Sequence, residues 1–507
     1  MRSSCAGVDR AVGTILAAAG CVVGAAAVVR GDPVQMVIAI VTHAPTSPRS
    51  ALPMTIPGGA GAQADPRFSN LNVRSYHAPS GSVWVVGAST NLSPSPNVVV
   101  IGSGLNILGN AIAARDGVSA TTTGDVLGTN LLQSIPRINA AGQWAMASGS
   151  SAGGQKIIRW NGTSLDTLAA AGDTLPGGAG MAGGTVTSAN ILNDGSVLFG
   201  AVSDATGTTA NGPYGAYSTA GAGSSLLLAG TTVAGEQPGG AMLPWTTVNN
   251  LVGLTTSADG AHWLVLGRIS GVATVAVDSN VKVQVGTPIA GSAFASAVGG
   301  IGDAYMEANG DWYAVGTNAD GAAWAVRNGV VIASSGQPIV EGSAELWKAN
   351  TAFQMLRGSP IGYFVLTGTT DNADTSRNMA IVLNGLRVLA RLGDPVDLNA
   401  DGTFTGSLYL HTPQDKGTYC ADGYYYFSLR LKAVPTGTTT TLGNNASFLR
   451  VRACPADFGG NGVLEVQDIF DFLNVWFSGS LAADFNRSGG LQVQDIFDFL
   501  NAWFAGC

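Results

Sequence analysis

Two stretches near the C-terminus space their oxygen-bearing side chains as a calcium loop would. Residues 457–468 read DFGGNGVLEVQD and residues 484–495 read DFNRSGGLQVQD. Both fit D-x-x-x-x-G-x-x-x-x-x-D. An EF-hand-type loop takes ligands from positions 1, 3, 5, 7, 9 and 12, with Gly at 6 for the sharp turn. The first loop then offers Asp457, Asn461, Glu465 and Asp468, and Val463 offers its carbonyl. The second offers Asp484, Asn486, Ser488 and Asp495, with the carbonyl of Gly490 and with Gln492 at position nine. Hard oxygen donors on a tight loop select Ca2+ over softer metals. Position 3 of the first loop is Gly459, and position 5 is Asn461 or Ser488 in place of a carboxylate. Fewer carboxylates attract Ca2+ less, so binding is expected at about 10⁻⁴ M or weaker.

A third stretch, DLNADGTFT at 397–405, sets Asp397, Asn399 and Asp401 at alternate positions before Gly402. That is the first half of such a loop. Position twelve is Leu408, which cannot ligate, so this is an incomplete, weak metal candidate. A solvated hairpin turn is the competing reading.

The elements that must hold the two complete loops are helices. VQDIFDFLN occurs at 466–474 and again at 493–501. Ile469, Phe472, Leu473 and Trp476 share one helical face, and Ile496, Phe499, Leu500 and Trp503 match them. These faces should form a common core. Phe470, Phe477, Phe497 and Phe504 lie partly outside the stripe. Each helix is expected to start at the position-twelve Asp.

Two such loop-helix units resemble a type I dockerin. More narrowly, CPADF…WFAGC is similar to the GC-type dockerin-like domain that ends many exported bacterial proteins. The resemblance covers residues 454–507. The usual loop there is D-x-N-x-D-G, from which both loops depart. The resemblance implies Ca2+-dependent docking to a protein partner, cohesin-like or an envelope component, though cohesin itself is not implied. In dockerins the residues just before position twelve help recognise the partner; here these are Val466-Gln467 and Val493-Gln494. Dockerin termini lie close together, so Cys454 and Cys507 fit a disulfide clasp. The alternative is that Cys507 is an attachment point.

The rest of the chain has a different character. Gly supplies 71 of 507 residues and charged residues only 11%. Hydrophobic content of 46% argues against a disordered chain. Net charge is −8 without a Lys/Arg run, so nucleic-acid binding lacks its electrostatic footprint. At the N-terminus, Arg2 and Arg10 precede or flank AVGTILAAAGCVVGAAA, and Ala25-Ala26-Ala27 offers a cleavage site. This predicts an export signal over 1–27; a retained anchor or a lipid-bearing Cys21 are the alternatives. No C-x-x-C pair occurs.

Between 32 and 452 one pattern recurs: a small polar turn with Gly, then a short strand rich in aromatic and β-branched residues. Its turn glycines are Gly81, Gly142, Gly195, Gly260, Gly310, Gly362 and Gly423. Asn161-Gly162, Asn328-Gly329 and Asn384-Gly385 suit type I′ hairpin turns, whose central residues both need positive φ. Each unit should hold about four strands. One small sheet cannot bury both faces alone, but radially stacked sheets bury each other's. The expectation is an all-β fold: a β-propeller of about seven four-stranded blades, followed by the small α-helical dockerin-like domain at 453–507. A solenoid or two β-sandwiches are the alternatives. VQMVIAIV (34–41) and ASFLRVR (446–452) could close the ring by pairing.

Carboxylates in this region sit largely in turns: Asp194, Asp259, Asp320, Asp401 and Asp422 each precede Gly. SADGAHW (257–263) is similar to the Asp-box of sialidase-like propellers, a structural motif, but lacks one residue between Asp and Gly. No nucleophile-elbow, zinc-protease or phosphate-loop motif is present. The reading is an exported or cell-surface bacterial propeller that binds a glycan or protein without catalysis and carries a docking module. The alternative is a polysaccharide-degrading enzyme delivered by that module.

Overall fold

The computed structural model describes residues 34–39, 49, 51, 65–77, 83–94, 96–128, 131–132, 134–150, 154–170, 173, 181–203, 213–217, 223–228, 233–236, 242–248, 254–269, 271–359, 362–400, 408–413, 417–420, 422–436, 441–459, 464–480, 483–485 and 490–505. The N-terminal segment read as an export signal lies outside them, as do Gly81 and Asp401.

Among the described residues, strand pairing gives seven sheets, five of four strands and two of six. The four-stranded sheets are antiparallel and run in chain order. One comprises Val298–Met306, Trp312–Asn318, Ala323–Arg327 and Val330–Ser334. Apolar clusters straddle successive sheets: Leu266 and Val275 pack with Ala304 and Trp324, and Tyr313 and Val315 pack with Phe364 and Leu366. The final sheet packs on the first through Phe448, Tyr426 and Trp84. The sheets therefore bury one another's faces around a closed ring, which is the β-propeller arrangement.

Close sheet contact depends on paired Trp and Gly. A Cβ on Gly316 would lie 2.3 Å from Trp324 Cζ2, and one on Gly102 would lie 2.0 Å from Trp84 Cζ2. Each Trp faces its glycine as a cross-strand pair within one sheet, where only glycine leaves room for the ring.

The ring closes as the sequence suggested, by pairing of its ends. Val34–Ile38 runs antiparallel to Thr441–Arg452, with Gln35 opposite Arg450 and Met36 opposite Leu449. The expectation of uniform four-stranded blades needs correction at two sheets. In the closing sheet Val34–Ile38 also pairs in parallel with Val396–Asp397. In another, Met242–Val248 and Leu254–Thr256 share Trp263–Ile269 as partner.

The repeated turn is a single backbone device. Gly142, Gly195, Gly260, Gly310, Gly362 and Gly423 all have φ between 72° and 89°. Each donates its N–H to the carbonyl three residues earlier: Asn139, Leu192, Ser257, Glu307, Ser359 and Cys420. The hairpin predictions fare unevenly. Asn328-Gly329 and Asn384-Gly385 have positive φ at both residues, but at 161–162 only Gly162 does. Asn161 instead uses its side chain: Oδ1 accepts from the N–H of Thr163 and of Ser164, holding a longer loop. A two-residue turn at Asp278-Ser279, also with positive φ, had no Gly to announce it.

Two helices follow the ring, α1 (Val466–Phe477) and α2 (Val493–Ala505). No helix among the described residues is long and apolar enough to cross a membrane.

Candidate calcium-loop site

The two helices meet through their aromatic faces. Phe472 and Phe499 stack with ring centroids 4.1 Å apart and planes 4° from parallel. Phe458 and Phe485, the second residue of each loop, meet that pair edge-on. Each Trp then crosses to the other repeat. Trp476 Nε1 donates to the carbonyl of Gln492 at 3.3 Å, and Trp503 Nε1 donates to the carbonyl of Glu465 at 3.0 Å. Gln492 and Glu465 are the position-nine residues. Each helix therefore anchors the other repeat's loop.

Both helices start two residues earlier than the sequence suggested. The position-twelve Asp is the third helical residue, and its carboxylate turns back on the loop. Asp468 Oδ2 accepts from the N–H of Glu465 at 2.8 Å, and Asp495 Oδ2 accepts from the N–H of Gln492 at 2.7 Å. This reciprocal cap satisfies N–H groups that a helix start leaves unpaired, so it draws the helix past the Asp. Asp468 Oδ1 also accepts from the N–H of Gly459. The loop's two ends are thus tied together.

Asp457, Asp468, Asp484 and Asp495 are all buried, each at most 3% exposed. Burial disfavours the charged carboxylate and pushes the Asp468 carboxyl up. The N–H groups of Glu465 and Gly459 oppose that shift, and the nearby charges of Asp457 and Glu465 reinforce it. Buried, crowded carboxylates of this kind gain most from a cation. The residue types are those that Ca2+ takes. Asp457, Glu465 and Asp468 would hold it in the first loop, and Asp484, Gly490 and Asp495 in the second. Asn461, Val463, Asn486 and Ser488 lie outside the described residues. Among the described residues no three His, Cys, Asp or Glu side chains form a metal-binding group.

The module is seated on the ring. Phe485 meets Tyr363 edge-on, with centroids 5.6 Å apart, and Tyr419 Oη donates to the carbonyl of Ala453. Its core is continuous with that of the flanking sheets. Asp457 also receives a propeller cation. Arg387 Nη1 lies 3.2 Å from Asp457 Oδ2 and 3.0 Å from the Asp457 carbonyl oxygen. Asp484 instead lines a 600 Å³ cavity with Ile339, Trp347, Phe364 and Val382. Nothing local in the sequence signals either contact.

At the third candidate, Asp397 is buried and Asn399 exposed. Asp397 Oδ1 accepts from the N–H groups of Asn399 and Ala400. That is a turn-forming role for Asp397.

In the ring, four of the five turn carboxylates lie among the described residues and act within their turns. Asp194, Asp259, Asp320 and Asp422 accept from the N–H of Ser196, Ala261, Ala322 and Tyr424 respectively. Sequence reasoning missed Glu307. Burial pushes its carboxyl up to about 7 despite the Ala308 N–H and the charges of Arg137 and Arg357. Arg137 and Arg357 belong to first strands of other sheets, so the three charges converge from separate parts of the ring. Asp303, on the strand before Glu307, pairs with Arg357 at 3.0 Å, and that guanidinium lies over the Tyr305 ring.

No family model matches this chain. No curated protein matches it either. Among solved structures it is similar to the β-propeller domain of Cps50 (Swd1) from Myceliophteria thermophila. That match has 10% identity and a TM-score of 0.36, covering 77% of this chain and 98% of that one. It is also similar to the six-bladed Aleuria aurantia lectin, at 12% identity and TM-score 0.29, over 61% of this chain and 89% of that one. TolB from Acinetobacter baumannii is similar at 9% identity and TM-score 0.29; 61% of this chain spans 63% of that one. Nothing about ligand or activity follows from likenesses this distant.

Proposed function

We propose that the chain is an exported β-propeller that acts as a binding scaffold without catalysis and carries a Ca2+-dependent, dockerin-like docking module. One observation carries this reading: each helix is divided into an inward acid and an outward apolar stripe. Asp468 and Asp495 are buried, while Val466, Phe470 and Phe477, and their counterparts Val493, Phe497 and Phe504, are 56–76% exposed. At 100° per residue each trio falls within about 40° of arc. Ca2+ would brace the loops from which the helices spring, and the stripes would meet a protein partner, cohesin-like or of the envelope. The propeller would hold a glycan or protein ligand. Cys454 is buried and disulfide-bonded. Cys507, its proposed partner, lies outside the described residues, and the clasp would close a loop worth about 4 kcal/mol.

Calcium calorimetry on the full chain tests the module. Heat at millimolar Ca2+ is expected for the native chain and its loss in Asp468→Asn/Asp495→Asn. A native chain without heat overturns the reading.

A second reading, a polysaccharide-degrading enzyme, draws on Glu307, whose raised carboxyl suits a general acid. Against it, the carboxylate on the preceding strand, Asp303, is committed to Arg357. Hydrolysis across a glycan panel, abolished by Glu307→Gln, would favour this reading.

A further inference from the structure

Two neighbouring propeller sheets pack closely at one strand and part at the next. Ala323–Arg327 and Val330–Ser334 are the third and fourth strands of one sheet; Phe364–Thr369 and Met379–Leu383 belong to the other. Four of the five residues of Ala323–Arg327 are buried, but none of Val330–Ser334 is. The gap beside that fourth strand is a cavity of 600 Å³. Ile339, Trp347, Phe364, Leu366 and Val382 line it, and each is at most 3% exposed. Val330, also in the lining, is 64% exposed and marks the opening to solvent. The walls are preformed. Gly336 N–H donates to the Trp347 carbonyl at 2.7 Å, Trp347 N–H to that of Gln337 at 2.9 Å, and Ile339 N–H to that of Glu345 at 3.1 Å. Arg391 of the second sheet grips the Glu345 carboxylate with two bonds, of 2.8 and 2.7 Å. Glu341 N–H donates to the carbonyl of Gly385, which ties the loop to that sheet's hairpin turn.

We propose that this cavity binds a small amphipathic molecule, with an apolar ring body inside and a neutral or cationic head at the mouth. Its volume lies within the range of about 300–1,000 Å³ usual for small-molecule sites. A body seated there removes apolar surface from water and supplies contacts that the walls lack on their open side. Trp347 and Phe364 favour a flat ring, which can stack on an aromatic side chain or meet it edge-on. The head follows from the mouth. Gln337 and Glu341 line the cavity and are exposed, so a polar head beside them stays hydrated. Among the described residues of the lining are the acids Glu341 and Asp484, but no lysine or arginine. An ammonium head would therefore meet opposite charge, and a carboxylate head like charge. The site involves neither a metal nor the exposed helix stripes, so it stands apart from the docking reading.

The test uses three probes that share one ring system and differ in the head: 2-naphthylmethylamine, 2-naphthylmethanol and 2-naphthoate. In calorimetric titration of the full chain, the amine and the alcohol are expected to bind with Kd of about 1 mM or tighter. Naphthoate should bind about tenfold more weakly than the amine. Val330→Trp puts an indole at the opening, and Gln337→Trp does so from the loop. Both replace exposed side chains, so the fold should survive, and each should weaken the amine by about tenfold. Glu341→Lys should weaken the amine and strengthen naphthoate, which a probe held elsewhere on the chain would not show. Absence of binding by both the amine and the alcohol overturns the proposal. So does naphthoate binding as tightly as the amine, or amine binding that neither Trp variant weakens. An order of affinities unmoved by Glu341→Lys would overturn the assignment of the mouth and with it the proposal.

Discussion

The propeller and the C-terminal pair are both repetitive, but they repeat different things. The propeller turns share little sequence beyond a glycine. Their first residues are Asn139, Leu192, Ser257, Glu307, Ser359 and Cys420, yet all six make the same hydrogen bond to a glycine of positive φ. The C-terminal units match at 17 of 24 positions between 456–479 and 483–506, yet the ring touches them at different residues: Arg387 pairs with Asp457, and Tyr363 meets Phe485. Backbone geometry can be conserved within a chain by one residue type at one position. Copying a whole sequence does not copy its surroundings, because a pair with internal symmetry has been laid against a ring that presents different neighbours to each copy.

The strongest challenge to this comparison lies at the shared centre of the pair. Phe472→Ala and Phe499→Ala remove stacked, fully buried rings, and each should destabilise the full chain by about 3–5 kcal/mol in denaturant unfolding. The two losses should be nearly equal. A large inequality would show that symmetry fails even at the centre.

Next comes the pair of loop phenylalanines. Phe485 is buried and also touches Tyr363, whereas Phe458 is only half-buried. Phe485→Ala should cost about 3 kcal/mol and Phe458→Ala about half of that. Equal costs would mean that the seat on the ring contributes little.

Among the propeller turns, Glu307 is the titratable exception. Its carboxyl is raised from 4.5 to about 7 by burial, so the folded state favours the protonated form. Stability is then greatest below the unfolded value near 4.5 and falls as pH rises to about 7. The loss should be about 3 kcal/mol, and Glu307→Gln should flatten it across that window. Melting temperatures at successive pH values would read this. An unchanged profile in the variant would place the titration elsewhere.

The smallest effect should be the most uniform. Gly142→Ala and Gly310→Ala place a side chain at φ of 76° and 89°. Each should cost about 1–2 kcal/mol, whatever the neighbouring sequence. Widely different costs at the two turns would break the claim that they are one device.

The sequence by itself determined what depends on residues close along the chain. The turn glycines announced their left-handed backbone. The short aromatic and β-branched strands between them announced sheets that need stacking partners, and the copied VQDIFDFLN words announced two helices with matching apolar faces. Ring closure was suggested too, by apolar strands at the two ends of the region. The misreadings were also local. Asn161 uses its side chain on the amides of Thr163 and Ser164 and so avoids positive φ, and the capping bonds of Asp468 and Asp495 start each helix two residues earlier. Only the tertiary structure decided which charges and rings meet across long separations. Arg387 reaches Asp457, Arg137 and Arg357 act on Glu307, and Tyr363 receives Phe485 because closing the ring fixes where each strand ends. Such contacts carry no periodicity and no spacing rule. They follow from how the sheets pack and where that packing leaves room for the last 50 or so residues, about a tenth of the chain.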